Sequence, residues 1–204
     1  IMDGSAKDFL SKLNKLEIKE LTKKRKYLKI VDSFEFVDGS RKILIEPNDL
    51  TFEVGFQLNY NNKIIGNQKN KINFQKDDLE EIIESRTFCL YEDIEKIKQI
   101  GLAKGGSLDN ALVVDDEKVI NKDGLRNDKE FVNHKILDLA GDFLLSGSRV
   151  LGKVTCHQGG HQLTNTFLRK MFATSSVFTS LELKDIIISK KISTNQSIKL
   201  AVSA

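Results

Sequence analysis

The sequence predicts an α+β fold, a two-layer sandwich in which a sheet of mostly antiparallel strands packs against helices. The first observation is a group of runs with β-branched and aromatic residues in partial alternation, at 27–37, 42–47 and 50–60. The second is that segments with helical spacing follow these runs as a group, and that strands return later. This order differs from the regular strand–helix alternation that builds a parallel sheet, so it favours the α+β class.

The N-terminal residues predict a helix followed by a solvated segment. Asp3 or Ser5 is the candidate cap of a helix that runs to about Asn14. The apolar stripe of this helix consists of Phe9, Leu10 and Leu13. The basic run "KELTKKRK", 19–26, has little apolar content, so a solvated linker is favoured over a nucleic-acid-binding surface. We therefore expect a boundary here, a domain at 27–174 and an extension at 175–204.

Turn signals divide the next region into strands and short helices. "DGS" at 38–40 and "PND" at 47–49 separate the strand-like runs and predict an antiparallel meander. "NNKIIGNQKN", 61–70, is predicted to be a polar loop. Helical spacing predicts a helix at 76–85 and a second short helix at 92–101.

The second half of the chain predicts strand, helix, strand and helix. Two short strands are expected around Asp115 and Asp116, and a helix at about 128–146. The strand "RVLGKVTC" follows, and a glycine turn at 159–160 opens into the last helix. Near the C-terminus, "LELKDIIIS" and "IKLAVS" are candidate short strands.

Composition excludes several classes of protein. A hydrophobic fraction of 40% with 30% charged residues is typical of a globular chain. No apolar run approaches the roughly 18–20 residues of a membrane span, so we expect no stable membrane insertion. A net charge of +3 and the absence of tryptophan give no support for nucleic-acid binding. Cys89 and Cys156 show no paired spacing, which favours free thiols and a cytoplasmic location. We also expect the protein to be a monomer.

The helix at 128–146 carries the first candidate site. One face is apolar and consists of Val132, Ile136, Leu139, Ala140 and Phe143. His134 and Asp138 lie on the opposite side, one turn apart, so their side chains are neighbours. Such a pair can hold one metal ion from a rigid support. A solvated pair is the alternative, and the spacing alone favours it because two ligands do not make a site.

Two further histidines flank a glycine turn. His157 and His161 lie on either side of "QGG", and Gly159 and Gly160 allow a tight turn. His161 then begins a helix, where it is a candidate proton donor near neutral pH. A helix-cap residue with an exposed ring is an equally supported interpretation. His157 is interpreted as a surface residue.

The stretch 85–114 contains a hydroxyl group and a run of apolar side chains. Thr87 lies where one helix ends, and its hydroxyl is a candidate oxyanion donor. A hydroxyl group at the end of a helix more often has no catalytic role. The apolar side chains are either core or the lining of a groove for an acyl chain, and local sequence does not decide between these. They are Leu90, Tyr91, Ile94, Ile97 and Leu102.

These stretches together resemble the second domain of the UDP-3-O-acyl-N-acetylglucosamine deacetylase family, zinc amidohydrolases of lipid A synthesis. The matching segments are "IMDGSA", "SRTF", "DIEKIKQIGLAKGGSLDNALVVDD", "VINKDGLRNDKEFVNHKILDLAGD", "LGKVT" and "GGHQLTN". They appear in the family's order and cover most of 1–170, and "HKILD" is highly specific. The resemblance implies the fold of that second domain. It makes 1–26 the tail of a first domain with a linker, and about 88–111 an insert that forms an acyl-chain passage.

The resemblance also implies ligands and roles for individual residues. His134 and Asp138 correspond to two ligands of a single Zn²⁺ ion. His161 corresponds to the proton donor to the leaving amine, with Asp142 orienting it. Thr87 corresponds to a residue that stabilises the oxyanion. The implied substrate contacts are Lys135, Tyr60, Phe88, Leu90, Tyr91, Ile94, Ala103 and Ser107. The implied reaction is hydrolysis of the N-acetyl group of a UDP-linked, acylated N-acetylglucosamine.

The chain departs from the family pattern in three places. The family's remaining zinc ligand and its general-base glutamate precede "IMDGS", and we expect that segment to be missing here. The chain alone is then expected to bind zinc weakly and hydrolyse little. A truncated acyl- or nucleotide-binding module without catalysis is the alternative interpretation. Near the uridine site, "NYNNK" at 59–63 replaces an acidic-aromatic-acidic-His-Pro segment, and Gln158 replaces a basic residue.

Overall fold

The computed structural model describes residues 2–19, 21–48 and 50–183. The helices in these ranges are α1 (Lys7–Leu13), α2 (Glu80–Glu84), α3 (Ile94–Gln99), α4 (Glu130–Leu144) and α5 (His161–Phe172). The strands are β1 (Arg25–Ile30), β2 (Phe34–Asp38), β3 (Arg41–Glu46), β4 (Phe52–Asn59), β5 (Asn67–Asn73), β6 (Phe88–Leu90), β7 (Leu112–Val114), β8 (Arg149–His157) and β9 (Phe178–Leu183). The candidate strand "IKLAVS" and the end of "LELKDIIIS" lie outside the described residues.

Strand β8 organises the main sheet. Its first residues, 149–151, pair in parallel with β1, and its later residues pair with β3 on one side and β4 on the other. Strands β9, β2 and β5 extend the sheet beyond β1, β3 and β4, each in antiparallel pairing. Helices α4 and α5 pack on this sheet around a core that includes Ile136, Phe143 and Phe167. The predicted class, a mostly antiparallel sheet packed against helices, is confirmed.

The predicted meander is wrong in its connections, although its strands exist. The "DGS" turn joins β2 and β3 as a hairpin, but β8 lies between β3 and β4. Four residues of β8 with apolar side chains, Val150, Leu151, Val154 and Cys156, are buried. A central position removes more of their apolar surface from water than an edge position would. Burial of a distant strand therefore overrides the local turn signals.

Strand β5 was not expected from the sequence pattern. The predicted polar loop extends to residue 70, whereas β5 begins at Asn67. Among the described strands β5 pairs with β4 alone, so it forms an edge of the sheet. Its Asn, Gln and Lys side chains suit an edge, because they tolerate water and discourage pairing with other chains. A run of polar residues gives no hydrophobic alternation, which explains why the pattern did not predict this strand.

The short helices agree with the prediction in position and differ in length. At the start of α1, the hydroxyl of Ser5 accepts the N–H of Lys7 at 3.2 Å, and the carboxylate of Asp3 accepts the N–H of Ser5 at 3.1 Å. Helix α2 is a single turn at Glu80–Glu84, and the carboxylate of Asp78 accepts the N–H of its first residue at 3.0 Å. In the described part of the chain no helix combines the length and apolar character that a membrane span requires.

Helix α4 is the central helix of the molecule. The predicted apolar face is buried at Val132, Ile136, Leu139 and Phe143, and half-buried at Ala140. Burial also includes Glu130, Phe131, Asn133 and His134, which the predicted face does not contain. The reason is that α2 and β5 pack against α4 as well as the core of the sheet. Polar side chains of α4 therefore lie inside the protein.

The turn between β8 and α5 is tight because Gly159 packs without a side chain. A Cβ atom at Gly159 would lie 2.2 Å from Sγ of Cys156 and 3.3 Å from the ring of Phe56. The same position at Gly160 has no neighbouring atom within 4 Å, and its backbone is extended.

We expect Gly159→Ala to lower the free energy of unfolding by about 1–3 kcal/mol, because the added methyl group overpacks this turn. Gly160→Ala is the matched control and should cost less than about 1 kcal/mol. Urea denaturation of both variants measures the difference. Equal losses in the two variants would contradict the packing argument.

Candidate active site

His134 and Asp138 lie together on α4, as their spacing predicts. Nε2 of His134 is 3.3 Å from Oδ1 of Asp138. His134 is only 7% exposed, so it does not belong to a solvated helix face. The alternative interpretation, a solvated pair on the helix surface, is therefore wrong for the imidazole of His134.

The second ring nitrogen of His134 defines the orientation of the ring. Nδ1 lies 3.1 Å from the carbonyl oxygen of Ser85. A carbonyl oxygen only accepts, so Nδ1 carries the hydrogen, and in the neutral ring Nε2 is an acceptor. Two acceptors, Nε2 and the carboxylate of Asp138, then face each other at 3.3 Å. Such an arrangement requires a proton or a cation between them.

Lys135 places a positive charge on the other side of Asp138. Its Nζ donates to Oδ2 of Asp138 at 2.8 Å, and both side chains are largely buried. Burial raises the pKa of Asp138, but the hydrogen bonds and charges of His134 and Lys135 outweigh this and hold that pKa well below its usual range. Asp138 is therefore an anion at neutral pH, the form that a metal ligand requires.

His161 and Asp142 form a second imidazole–carboxylate pair beside the first. Nδ1 of His161, at the start of α5, is 2.9 Å and 3.0 Å from the two carboxylate oxygens of Asp142. Nε2 of the same ring is 3.9 Å from Oδ1 of Asp138. Asp142 follows Asp138 by one turn of α4, so one side of this helix presents both carboxylates to His161. The imidazole of His161 is 68% exposed, which leaves it accessible to a ligand.

Thr87 lies two residues beyond Ser85, in a segment whose backbone is held on both sides. Its N–H donates to the carbonyl of Gly4 at 2.9 Å, and its own carbonyl accepts from Leu112 at 2.8 Å. Gly4 has a φ of +86°, and a Cβ atom there would lie 2.3 Å from the carbonyl oxygen of Asn110. The N-terminal segment therefore fixes the position of Thr87 through a close backbone approach that only glycine permits.

Phe88 connects this cluster to an aromatic group. Its ring centroid is 5.0 Å from that of Phe131 and 6.1 Å from that of Tyr60. Nζ of Lys135 lies 6.0 Å from the Phe88 centroid. Tyr60, Phe88 and Leu90 are partly buried and pack against the core, and we call these three side chains the apolar wall.

The other predicted substrate contacts lie between β6 and β7, which pair in parallel. Ile94 is half-buried, whereas Ala103 and Ser107 are exposed in a turn. Several large apolar side chains of this segment are at least half exposed, namely Tyr91, Ile100, Leu102 and Leu108. Tyr91 and Leu102 are therefore not core residues, which leaves a surface or groove as the interpretation for them.

The donor set fits part of a zinc site. Over residues 2–19, 21–48 and 50–183, no group of three or more His, Cys, Asp or Glu side chains is placed to hold a metal ion. Nε2 of His134 and Oδ1 of Asp138, 3.3 Å apart, match the separation of two ligands on one tetrahedral zinc ion with bonds of about 2.0–2.2 Å. The contact from Nδ1 to Ser85 is the outer hydrogen bond that a ligating histidine makes. His134 and Asp138 therefore fit two of the four coordination positions of a tetrahedral zinc ion.

Sequence reasoning missed the buried residues next to this cluster. Ser85, Arg86 and Glu130 are almost completely buried, and the Glu130 carboxylate accepts hydrogen bonds from Arg86. A glutamate in the first turn of a helix is normally solvated and interacts favourably with the helix dipole. This position therefore gave no reason to expect that Glu130 is buried. One feature of the sequence could have indicated a buried carboxylate. Arg86 precedes the run "TFCL", and an arginine in apolar surroundings needs a carboxylate partner.

The fold and these residues define a class, an α+β protein in which one helix supplies the carboxylates of two imidazole–carboxylate pairs. Such pairs suit acid–base chemistry and metal-assisted hydrolysis. The family model described as UDP-3-O-acyl N-acetylglycosamine deacetylase matches residues 1–173. The chain therefore belongs to this family, and the resemblance inferred from its motifs is confirmed.

Curated relatives carry the same family name. The UDP-3-O-acyl-N-acetylglucosamine deacetylase of Nautilia profundicola is 41% identical over 175 residues, which cover 85% of this chain and 59% of that protein. The deacetylase of Pseudoalteromonas translucida is 39% identical, with coverages of 87% and 59%. That of Helicobacter pylori strain J99 is 37% identical, with coverages of 91% and 63%. The chain thus spans about three-fifths of the length of these relatives.

Proposed function

We propose that this chain takes part in the zinc-dependent hydrolysis of the N-acetyl group of UDP-3-O-(3-hydroxyacyl)-N-acetylglucosamine. The products are acetate and the free amine, and the reaction commits its substrate to lipid A synthesis. Family membership and the names of the relatives support the substrate and the reaction. The observation that carries the proposal is that His134 and His161 approach one carboxylate, that of Asp138, at 3.3 Å and 3.9 Å.

His134 and Asp138 are the residues that would hold the zinc ion. A zinc ion held there would supply a nucleophile at neutral pH, because zinc lowers the pKa of a bound water molecule to about 7. The Ser85 carbonyl keeps Nε2 of His134 directed at Asp138. Lys135 binds only Oδ2 of Asp138, which leaves Oδ1 for the metal.

His161 donates the proton that the leaving amine requires. Its Nδ1 is engaged by Asp142, so proton transfer to the departing nitrogen takes place from Nε2. Asp142 orients the ring so that Nε2 is directed toward the side of Asp138. The exposure of this ring leaves room for a sugar beside it.

Thr87 stabilises the negative oxygen that develops as water attacks the acetamide carbonyl. Its backbone N–H and C=O are both held, so the backbone that carries the hydroxyl needs little reorganisation during the reaction. Lys135, whose Nζ lies 6.0 Å from the centroid of the Phe88 ring, contacts the substrate.

The acyl chain and the nucleotide contact the apolar wall around Phe88 and the segment between β6 and β7. The proposed acyl contacts are Phe88, Leu90, Tyr91, Ile94, Ala103 and Ser107. Tyr60 offers an aromatic face to uracil. Asn59 and Gln158, which depart from the family pattern, bind each other, since the N–H of Asn59 donates to the side chain of Gln158 at 2.9 Å. Free thiols at Cys89 and Cys156 support a reducing compartment, and we place the reaction in the cytoplasm.

Zinc content and acetate release test this proposal together. The chain is expressed alone and also joined to the part of the Nautilia profundicola relative that it does not match; we call the latter the joined protein. We expect about one zinc ion per joined protein, with acetate release from the UDP-linked substrate, because further ligands complete the coordination. The chain alone should hold less zinc and release little acetate.

Two outcomes would decide against the proposal. A joined protein that folds but binds no zinc contradicts the metal site. A joined protein that binds zinc and the acylated substrate without releasing acetate favours the non-catalytic binding module.

A further inference from the structure

A single peptide unit links a fully buried carboxylate to the imidazole of His134. The carbonyl oxygen of Ser85 lies 3.1 Å from Nδ1 of His134. The N–H of Arg86 belongs to the same planar peptide unit and donates to Oε1 of Glu130 at 3.0 Å. Glu130 and His134 are one turn apart on α4, so two neighbouring side chains of one helix hold the two ends of this peptide.

Glu130 has no exposed surface, and N–H donors surround its carboxylate in place of water. Oε1 also accepts from Nε of Arg86 at 2.8 Å. Oε2 accepts from Nη2 of Arg86 at 3.2 Å and from the N–H of Arg126 at 2.7 Å. Burial lowers the pKa of Arg86, but Glu130 and Asp123 raise it above its ordinary value, so the guanidinium stays charged. All four contacts are of the kind that an ionised carboxylate accepts.

We infer that Glu130 is a positioning residue, whose carboxylate acts through the Ser85–Arg86 peptide to hold His134 with hydrogen on Nδ1 and with Nε2 directed at Asp138. The inference rests on the proposed role of His134 as a zinc ligand and deepens it. A carboxylate that accepts the peptide N–H polarises the peptide and makes its carbonyl a stronger acceptor. It also prevents the peptide plane from turning and taking that carbonyl away from the ring.

This arrangement extends a known form of support for metal ligands. A ligating histidine usually donates its other N–H directly to a carboxylate or to a carbonyl. Here the carbonyl of Ser85 receives that hydrogen bond, and the carboxylate of Glu130 lies behind the same peptide. We call this series of hydrogen bonds the Glu130 relay.

The side chain of Arg86 also binds a loop. Nη1 donates to Asp123 at 2.8 Å and Nη2 to the carbonyl of Gly124 at 2.7 Å. These bonds attach the loop to the segment that contains Thr87, and Asp123 does not contact Glu130. A change at Asp123 therefore disturbs the loop and leaves the bonds of Arg86 to Glu130, whereas a change in the Glu130 charge disturbs the relay itself.

Two measurements on the 204-residue chain test the relay. Two-bond ¹⁵N–¹H NMR spectra of the zinc-free chain, at mildly alkaline pH, report which nitrogen of His134 carries the hydrogen, with the signals assigned by their loss in His134→Ala. Competition with a chromophoric chelator reports the affinity for zinc. In Glu130→Gln, which keeps the size and removes the charge, we expect a mixture of tautomers and a loss of affinity of about tenfold or more. Asp123→Ala, the structural control, should keep the hydrogen on Nδ1 and the affinity, because it loosens the loop and leaves Glu130 with its donors.

The outcomes separate the relay from a purely structural ion pair. Wild-type tautomer and wild-type affinity in Glu130→Gln overturn the inference, and so does an equal loss of both in Asp123→Ala. If Glu130→Gln does not fold, Glu130→Asp provides the same test, because its shorter side chain withdraws the carboxylate from the peptide. If neither the wild-type chain nor the joined protein binds zinc, the proposed function loses its metal site. The NMR spectra of the zinc-free chain still decide whether Glu130 determines the tautomer.

Discussion

Replacement of His134 by alanine is expected to remove zinc from the joined protein and to lower kcat/KM for deacetylation by at least about 10³-fold. Nε2 of His134 lies 3.3 Å from Oδ1 of Asp138, so the substitution removes one of the two proposed zinc ligands on α4. Asp138 then keeps Lys135 as its charged partner, at 2.8 Å. Without the metal, water regains its ordinary acidity and is no longer a nucleophile at neutral pH.

His157→Ala is the matched control for this prediction. His157 is the last residue of β8 and pairs in register with Lys42 and Gln57, so its loss removes an imidazole without touching α4. Mass spectrometry of bound metal and steady-state kinetics measure both variants. Retention of stoichiometric zinc by His134→Ala, or an equal loss in His157→Ala, would show that the ligand assignment is wrong.

The helix that carries His134 and Asp138 could be predicted from the sequence because its signal is local. Apolar residues recur with helical spacing, and side chains four positions apart are neighbours on any α-helix. The approach of His161 to this helix is not local. It depends on how α5 packs against α4, with His161 19 positions after Asp142 in the sequence, and only the family resemblance indicated it.

Burial of charged groups was the part that the sequence did not indicate. Glu130 stands in the first turn of a helix, where an exposed carboxylate is ordinary, yet it has no exposed surface. Its partner Arg86 is 44 residues away, so the pair forms only when the fold brings the two elements together. The central place of β8 has the same origin, since strand pairing over long sequence separations follows burial and not local turns.

Helix α4 presents an ionisable residue at four successive turns, namely Glu130, His134, Asp138 and Asp142. Exposure along this row rises from none at Glu130 to 7% at His134, and the two aspartates are partly exposed. The buried end holds the Ser85–Arg86 peptide, and the exposed end meets His161. One rigid helix therefore carries the positioning carboxylate, the two proposed ligands and the partner of the proposed proton donor, in that order.

Replacement of His161 by alanine is expected to lower kcat of the joined protein by about 10²–10⁴-fold while the zinc content stays unchanged. His161 approaches the cluster from α5, and its Nε2 is 3.9 Å from Asp138, so the substitution removes the proton donor and leaves both proposed ligands on α4. Because the ring is 68% exposed, the free energy of unfolding should change little. Kinetics, metal analysis and urea denaturation of the same preparation measure the three quantities.

Asp142→Asn gives a graded test of the same argument. The amide keeps the shape of the group that lies 2.9 Å from Nδ1 of His161 but removes its charge, so we expect a loss in kcat of about tenfold with zinc retained. Gln162→Ala, at the exposed neighbouring position of α5, is the control and should keep full kcat. If His161→Ala loses zinc together with activity, His161 acts as a ligand. The assignment of metal binding to α4 and of proton transfer to α5 would then be wrong.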